Sequence, residues 1–245
     1  MSRTVLIDAD ILAFQVSVNA ETATEFDDDI HVLWADAKKA KTDVDEAIEA
    51  IVAKVDADDY ICCLTSTTNF RQDVLPSYKG NRASTRKPMI LPAMRKHMLD
   101  HHVSLMIEGL EGDDCIGIMA TDPNADTEYV MYSADKDMKT IPALLWNEED
   151  GMAYKISPEE AERYWLSQVL TGDTTDGYKG LPKCGPVGAN KILDKECSYQ
   201  AVEEAYLKAG LTERECLQQA RVARILHHSD FDQVTKKPIL WSPEC

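Results

Sequence analysis

Acidic residues in this sequence recur at one kind of place, just after short apolar runs. Asp8 and Asp10 follow VLI near the N-terminus, Glu111, Asp113 and Asp114 fall in EGLEGDD, Asp135 and Asp137 in SADKD, and Asp173 and Asp176 in GDTTD. Brought together, they cannot all stay charged without cations, because like charges about 4 Å apart repel by roughly 4 kcal/mol at an effective dielectric near 20. A donor set of carboxylate oxygens, with no His or Cys beside it, suits Mg2+ or Mn2+ better than zinc. Two such ions about 4 Å apart clamp an in-line phosphoryl displacement, so the chemistry indicated is transfer or hydrolysis at phosphorus. Each acid taken singly has an ordinary explanation, since Asp at a helix N-terminus is commonly a cap. Asp113, Asp114 and Asp135 all precede helix-like stretches and fit that description too. Recurrence at successive strand ends is what caps alone do not require.

The elements that must position these acids alternate. Apolar runs at 4–9, 59–64, 103–107 and 129–134 are expected strands, and the stretches 43–55, 113–120 and 135–142 are expected helices. Strands alternating with helices imply a largely parallel sheet with helices on both faces. In such sheets ligands gather beyond the carboxyl ends of strands, which is where the acids lie. Residues 70–100 break the pattern. Pro76, Gly80, Pro88 and Pro92 interrupt a segment without a clear apolar stripe, expected to be a partly helical, mobile excursion from the sheet. From 157 the texture turns helical. Ser157 and Glu160 form a capping-box start for a helix ending near Gly172, then comes a Gly/Pro-rich turn, GYKGLPKCGPVGANKIL, and another helix is expected over 199–227.

The 245 residues carry a formal charge of −17. That looks wrong for a nucleic-acid protein, whose usual footprint is basic. Its distribution is uneven, however. Arg71, Lys79, Arg82, Arg86, Lys87, Arg95 and Lys96 stand against Asp73 alone between 71 and 96, so that segment is +6 and the rest −23. An acidic body with one basic segment suits an enzyme that concentrates metal ions and grips phosphate locally; an acidic protein with a solvated basic loop has the same charges. The seven cysteines include no C-x-x-C pair or zinc-ligand spacing, so free, mostly buried thiols in a reducing compartment are expected. With no run of about 18 apolar residues and no apolar leader, the expected location is the cytosol.

LIDAD, SYKGNR, EGLEGDD, SADKDM and GDTTDGYKGLPKCGPVGANKIL, in that order over residues 4–195, resemble the motifs of the 5′–3′ exonuclease/flap-endonuclease family, most like its stand-alone phage exonucleases. The resemblance implies an α/β fold with a mixed, largely parallel central sheet flanked by helices, of PIN-like 5′-nuclease type, with a helical arch and a helix-three-turn-helix module. Residues 1–157 would form the nuclease core, including the arch-like segment 70–100, and 158–245 a helical region with the duplex-binding module at 172–195. Implied function is two-metal 5′–3′ exodeoxyribonuclease activity in phage or bacterial DNA replication and recombination. Flap cleavage and RNA-primer removal also occur in the family, and the phage-infected or bacterial cytosol is the implied setting. The partner would be double-stranded DNA with 5′ ends, nicks or flaps. Asp8, Glu111 and Asp113 match holders of the first metal, with Asp114 beside them, and Asp135, Asp137, Asp173 and Asp176 match the acids around the second. Lys79 and Arg82 match the basic pair that approaches the scissile phosphate, and Tyr78 an aromatic on which a terminal base stacks. Arg71, Arg86 and Lys87 join them as DNA-contacting residues of the basic segment. In the Gly-rich turn, Gly180, Gly185 and Gly188 would let backbone N–H groups approach phosphates, with Lys179, Lys183 and Lys191 adding charge. The family often holds a monovalent cation, K+, in that turn.

Two departures stand out. Relatives carry a further acid after the second strand, where this chain has CCLTSTTNFR, with Thr65 or Ser66 at that place. Asp10 falls where many relatives have a small or polar residue, and so ranks below Asp8 as a ligand. Competing possibilities are a haloacid-dehalogenase-like phosphatase, with Asp8 as nucleophile and Asp10 as general acid, and a catalytically silent DNA-binding protein of the same fold.

Overall fold

Strand β1 (Ser2–Asp8) holds three successive fully buried residues, Val5, Leu6 and Ile7, as a strand covered on both faces must. The computed structural model describes residues 2–27 and 30–243, apart from the side chains of 26–27, 30–31 and 83–84. After β1 come helix α1 (Ala9–Asn19), a hairpin of β2 (Glu21–Asp27) and β3 (Ile30–Ala35), helix α2 (Ala37–Val55) and strand β4 (Asp59–Cys63). Helix α3 (Arg71–Val74), a 3-10 turn at Gly80–Ser84, helix α4 (Leu91–His101), β5 (Ser104–Leu105), α5 (Gly112–Ala120) and β6 (Thr127–Tyr132) follow. A 3-10 turn at Lys136–Thr140 leads to β7 (Leu144–Asn147) and β8 (Met152–Lys155). Then come α6 (Pro158–Thr171), α7 (Pro186–Leu193), α8 (Tyr199–Lys208), α9 (Glu213–Ala223) and the short pair β9 (Phe231–Asp232) and β10 (Lys237–Pro238).

The central sheet runs β5-β4-β1-β6-β7-β8, parallel except for the antiparallel β7–β8 pair. The chain builds outward from β1 to β4 and β5, then returns to β6 on the other side of β1. The carboxyl ends of β1 and β6 therefore flank the switch point, where the open side of such a sheet forms a crevice. One face is covered by α1, α2 and α4, and the other by α5 and residues 225–231. Helix α2 turns Ala40, Val44, Ile48, Ile51 and Val55 inward at helical spacing, with Asp36 capping its start. Helices α6 to α9 build a separate apolar cluster around Trp165, Leu166, Val202 and Tyr206.

The expected α/β class, with a largely parallel central sheet flanked by helices, holds, and several details differ. Between 70 and 100 the chain is less of an excursion than its prolines imply. Met94 and Met98, one helical turn apart on α4, are completely buried against α1 and α2, and two methionines make too narrow a stripe to see in sequence. The stretch 135–142 is a 3-10 turn, and 199–227 is two helices parted at Gly210, whose φ of +81° an L side chain rarely adopts. Hairpin β2–β3 and helix α1 were not foreseen. No helix is long and apolar enough to cross a membrane among the described residues. Cys62, Cys63, Cys115 and Cys216 are free and buried, Cys184 is half-buried and Cys197 exposed; Cys245 lies outside the described residues.

Candidate metal centre

Asp8 closes β1 and caps α1, accepting hydrogen bonds from the Ile11 N–H (3.2 Å) and, across the crevice, from Ser133 Oγ beyond β6 (2.7 Å). Asp135 caps the 3-10 turn after β6 and accepts the Asp137 N–H at 2.9 Å. Asp137 in turn accepts Gln168 Nε2 from α6 at 2.6 Å. Glu111 and Asp113 start α5, whose first residue, Gly112, lies so close to the end of β4 that a Cβ would sit 3.1 Å from the Cys63 carbonyl oxygen. Asp173 and Asp176 come from the loop after α6, folded by the Thr175 and Asp176 N–H groups donating to Asp173. Four chain segments thus deliver carboxylates to one crevice. Glu111, Asp113, Asp137 and Asp176 line a single small cavity of about 20 Å³.

This chain's own cations neutralise only part of that set. Lys79, held at φ +54° by its N–H to the Asp176 carbonyl (2.8 Å), places its ammonium against Glu111 and 3.7 Å from Asp176. Arg82 Nη2 donates to Asp176 at 2.6 Å, and Lys136 Nζ to Asp173 at 2.7 Å. Burial would raise the pKa of Glu111, but the Arg71 and Lys79 charges bring it down to about 2. Asp173 is likewise lowered despite burial, by Lys136 and the Thr175 N–H. The remaining acids move the other way. Burial raises Asp8 against the bonds from Ser133 and Ile11, with the charge of Asp135 adding to the rise. Burial, then the charges of Asp8 and Glu111, push Asp113 well above the usual carboxylate range, and burial with Asp135 pushes Asp137 up to about 6. Asp8, Asp113 and Asp137 are therefore acids short of positive charge. Their donors are hard oxygens, so the site fits a divalent cation of that preference. The fit requires movement: Lys79, Tyr78 and Lys136 stand between the acids as they are placed here.

Asp114 is placed apart from this set. It is completely buried, gripped by Arg71 through two bonds of 2.7 Å, and also accepts the Glu111 and Leu226 N–H groups. It sits behind Glu111 and shares a cation with it. Asp10 accepts the Thr65 N–H at 2.7 Å and pairs with Arg95, away from the role of a free general acid. At the end of β4, where the family resemblance leads one to expect a further acid, Thr65 Oγ1 accepts the Gly112 N–H (3.0 Å) and Ser66 Oγ accepts the Gly109 N–H (3.2 Å). Both hydroxyls hold the turn into α5.

Several expected DNA contacts need correction. Arg71 is 2% exposed, and its fork is spent on Asp114, Glu111 and the Val222 and Arg224 carbonyls, so it cannot reach a phosphate. Tyr78 is 3% exposed, its hydroxyl 2.8 Å from Glu111 and 2.9 Å from Asp176; its ring offers no face to a base. Gly180 is buried, its N–H donates to Gln219 at 3.0 Å, and its φ is +63°. A Cβ there would lie 2.2 Å from the Gly172 nitrogen, so this glycine serves a close chain crossing, not a ligand.

The other residues remain outward. Lys87, Lys179, Lys183, Lys191 and Gly185 are exposed, Gly188 is half-buried, and Arg86 is exposed but paired with Glu21 by bonds of 2.9 and 2.6 Å. Gly185 caps α7 and Pro186 opens it, so the positive end of that helix follows Lys179 and Lys183 in the chain, while Lys191 stands on its last turn. Ser133, Lys136 and Gln168 are site residues that sequence reasoning missed. Lys136, alone between two acids in SADKD, carried a visible signal; Gln168 inside α6 carried none.

Residues 3–145 match the family model described as 5′–3′ exonuclease, N-terminal resolvase-like domain. The chain is 27% identical to the exodeoxyribonuclease of Enterobacteria phage T3, covering 97% of this chain and 92% of that protein. It is 26% identical to the exonuclease of Escherichia phage T7, covering 97% and 93%. The crystal structure of the T5 D15 protein with metal ions superposes with a TM-score of 0.68 at 15% identity, over 90% of this chain and 88% of that one.

Proposed function

The chain belongs to the 5′–3′ exonuclease family, and from that premise we propose that it is a divalent-metal-dependent nuclease degrading duplex DNA from 5′ ends, nicks or flaps. Convergence of Asp8, Glu111, Asp113, Asp135, Asp137, Asp173 and Asp176 on one crevice, with three acids short of positive charge, carries this proposal. Asp8, Glu111 and Asp113 would hold one ion, and the four later acids a second, with Mg2+ or Mn2+ favoured by the all-oxygen donors. When bound, two such cations activate water for attack and offset charge on the phosphate. Asp114 acts through Arg71 as a positioning residue, fixing the carboxylate of Glu111. Lys79 and Arg82, beside Asp176, would offset charge developing on the oxygens of a bound phosphate. The α7 start, with Lys179 and Lys183 ahead of it and Lys191 on its last turn, would hold the duplex backbone without reading sequence, and the turn before it would take K+.

Duplexes labelled at the 5′ or the 3′ end, one bearing a 5′ flap, test this with Mg2+ and with EDTA. Metal-dependent products growing from the 5′ end are expected. Asp113→Asn is expected to abolish them and retain duplex binding; cleavage near the wild-type rate in that variant would reject the ligand assignment.

A further inference from the structure

Away from the crevice, a second group of metal-ligating atoms converges. His97 and His102, near the end of α4, both direct Nε2 at one oxygen of Asp45 on α2, at 2.6 and 2.8 Å. One potential ligand atom from each residue lies within 4.8 Å of the others. The two imidazoles are about nine-tenths buried, and the carboxylate is 44% exposed, so the group opens to solvent on the Asp45 side only. Tyr60, on β4, stands three residues before Cys63, the register partner of Asp8, so the group lies about 10 Å along the strand from the crevice acids.

We propose that Asp45, His97 and His102 form a zinc-class metal site, separate from the nuclease centre, that fastens α2 to the end of α4. The donor chemistry differs from the crevice in kind. Two imidazole nitrogens and one carboxylate oxygen suit Zn2+ or Co2+, whereas Mg2+ prefers oxygen alone. A tetrahedral ion with bonds of about 2.0 Å spaces its ligand atoms about 3.3 Å apart, so the 2.6 and 2.8 Å contacts must open by about half an ångström. Asp45, half in solvent, has room to withdraw by that much, and water completes the coordination on its open side. An outer partner is already present. His102 Nδ1 lies 3.0 Å from the Tyr60 hydroxyl, which accepts an Nδ1–H as readily as it donates, and so permits the tautomer that leaves Nε2 free for metal. His101 packs against His97, its ring tilted by 44° with centroids 4.8 Å apart, backing that ring.

The test is equilibrium dialysis of the full chain with Zn2+ in a large excess of Mg2+, which occupies the oxygen donors of the crevice, together with Co2+ absorption spectra. One equivalent of Zn2+ per chain and a visible Co2+ band are expected. His97→Gln and His102→Gln should each weaken binding by at least about 100-fold and Tyr60→Phe by about tenfold, with the circular dichroism and the Mg2+-dependent activity of each variant unchanged. If the histidine variants do not fold, Tyr60→Phe and Asp45→Asn give the same readout from the cluster's edge. Absence of Zn2+ binding above that of the crevice, or binding indifferent to these substitutions, would overturn the proposal and leave a hydrogen-bonded clasp between two helices.

Discussion

Replacing Arg71 with Leu removes one side chain and the five hydrogen bonds it makes to four groups. Asp114 loses both of its 2.7 Å bonds, Glu111 loses one at 3.2 Å, and the Val222 and Arg224 carbonyls lose theirs. Asp114 is completely buried, so no water replaces the guanidinium. Breaking a buried pair from one side costs about 3–5 kcal/mol, and for a chain of this size each kcal/mol lowers Tm by about 2–4 °C, a loss of roughly 6–20 °C. Arg71→Lys keeps the charge but not the fork and should fall between. Because the carbonyls of Val222 and Arg224 also depend on this side chain, a double variant with Asp114→Leu should recover only part of the loss. Thermal unfolding followed by circular dichroism gives the number. Salt titration of duplex binding supplies the opposing outcome: a phosphate-contacting arginine would reduce the salt slope by about 1 while leaving Tm in place. An Arg71→Leu protein within 1 °C of wild type, with a reduced slope, would refute the buried role.

His227 donates Nε2–H to the Thr140 carbonyl and faces Arg224 with Nδ1; burial, then the Arg224 charge, lower its pKa to about 4. Between pH 6.5 and about 4 the unfolded chain binds more protons at this site. Stability therefore falls as pH drops through that window, by up to about 3 kcal/mol at its acid end at about 1.4 kcal/mol per unit. Denaturant titrations should show His227→Gln losing less stability over that range, and parallel pH curves for the two proteins would count against it. Gly180→Ala, at positive φ and against the Gly172 backbone, should cost more than about 1 kcal/mol. Gly185→Ala, with nothing within 4 Å of its added carbon, should not, and equal losses in the two would undo the distinction between them.

What the sequence made legible was whatever depends on local order. VLI ending in Asp8 declares both a buried strand and the acid at its tip, and Ser157 with Glu160 declares a helix start, formed as expected. The acids of EGLEGDD, SADKD and GDTTD could be placed near one another because a parallel sheet gathers its strand ends. Direction was harder. Arg71 and Tyr78 belong to a basic, proline-broken segment whose charges read as solvated in sequence, and only the approach of α5 and α9 to Arg71, and of Glu111 and Asp176 to Tyr78, turns them inward. Asp114 follows Asp113 directly, yet the helix aims the two at different partners, which adjacency in sequence conceals. Hairpin β2–β3, with the polar run ETATE, lacks the apolar alternation by which strands are recognised.

Residues 225–231 return from the helical region to the sheet. Ile225, Leu226 and Phe231 are buried among Leu6, Ile116 and Met131, and the Leu226 carbonyl presses so closely on Gly117 that a Cβ there would lie 2.3 Å away. During synthesis, then, the first half of the chain leaves the ribosome with one face of its sheet covered by α5 alone, and the apolar surface around α5 is sealed only when residues 225–231 follow. Contacts so distant in sequence slow folding and leave apolar surface exposed meanwhile. A fragment stopping at residue 157 would retain every strand of the central sheet and five of the seven crevice acids, but would be prone to aggregate through the surface it cannot close.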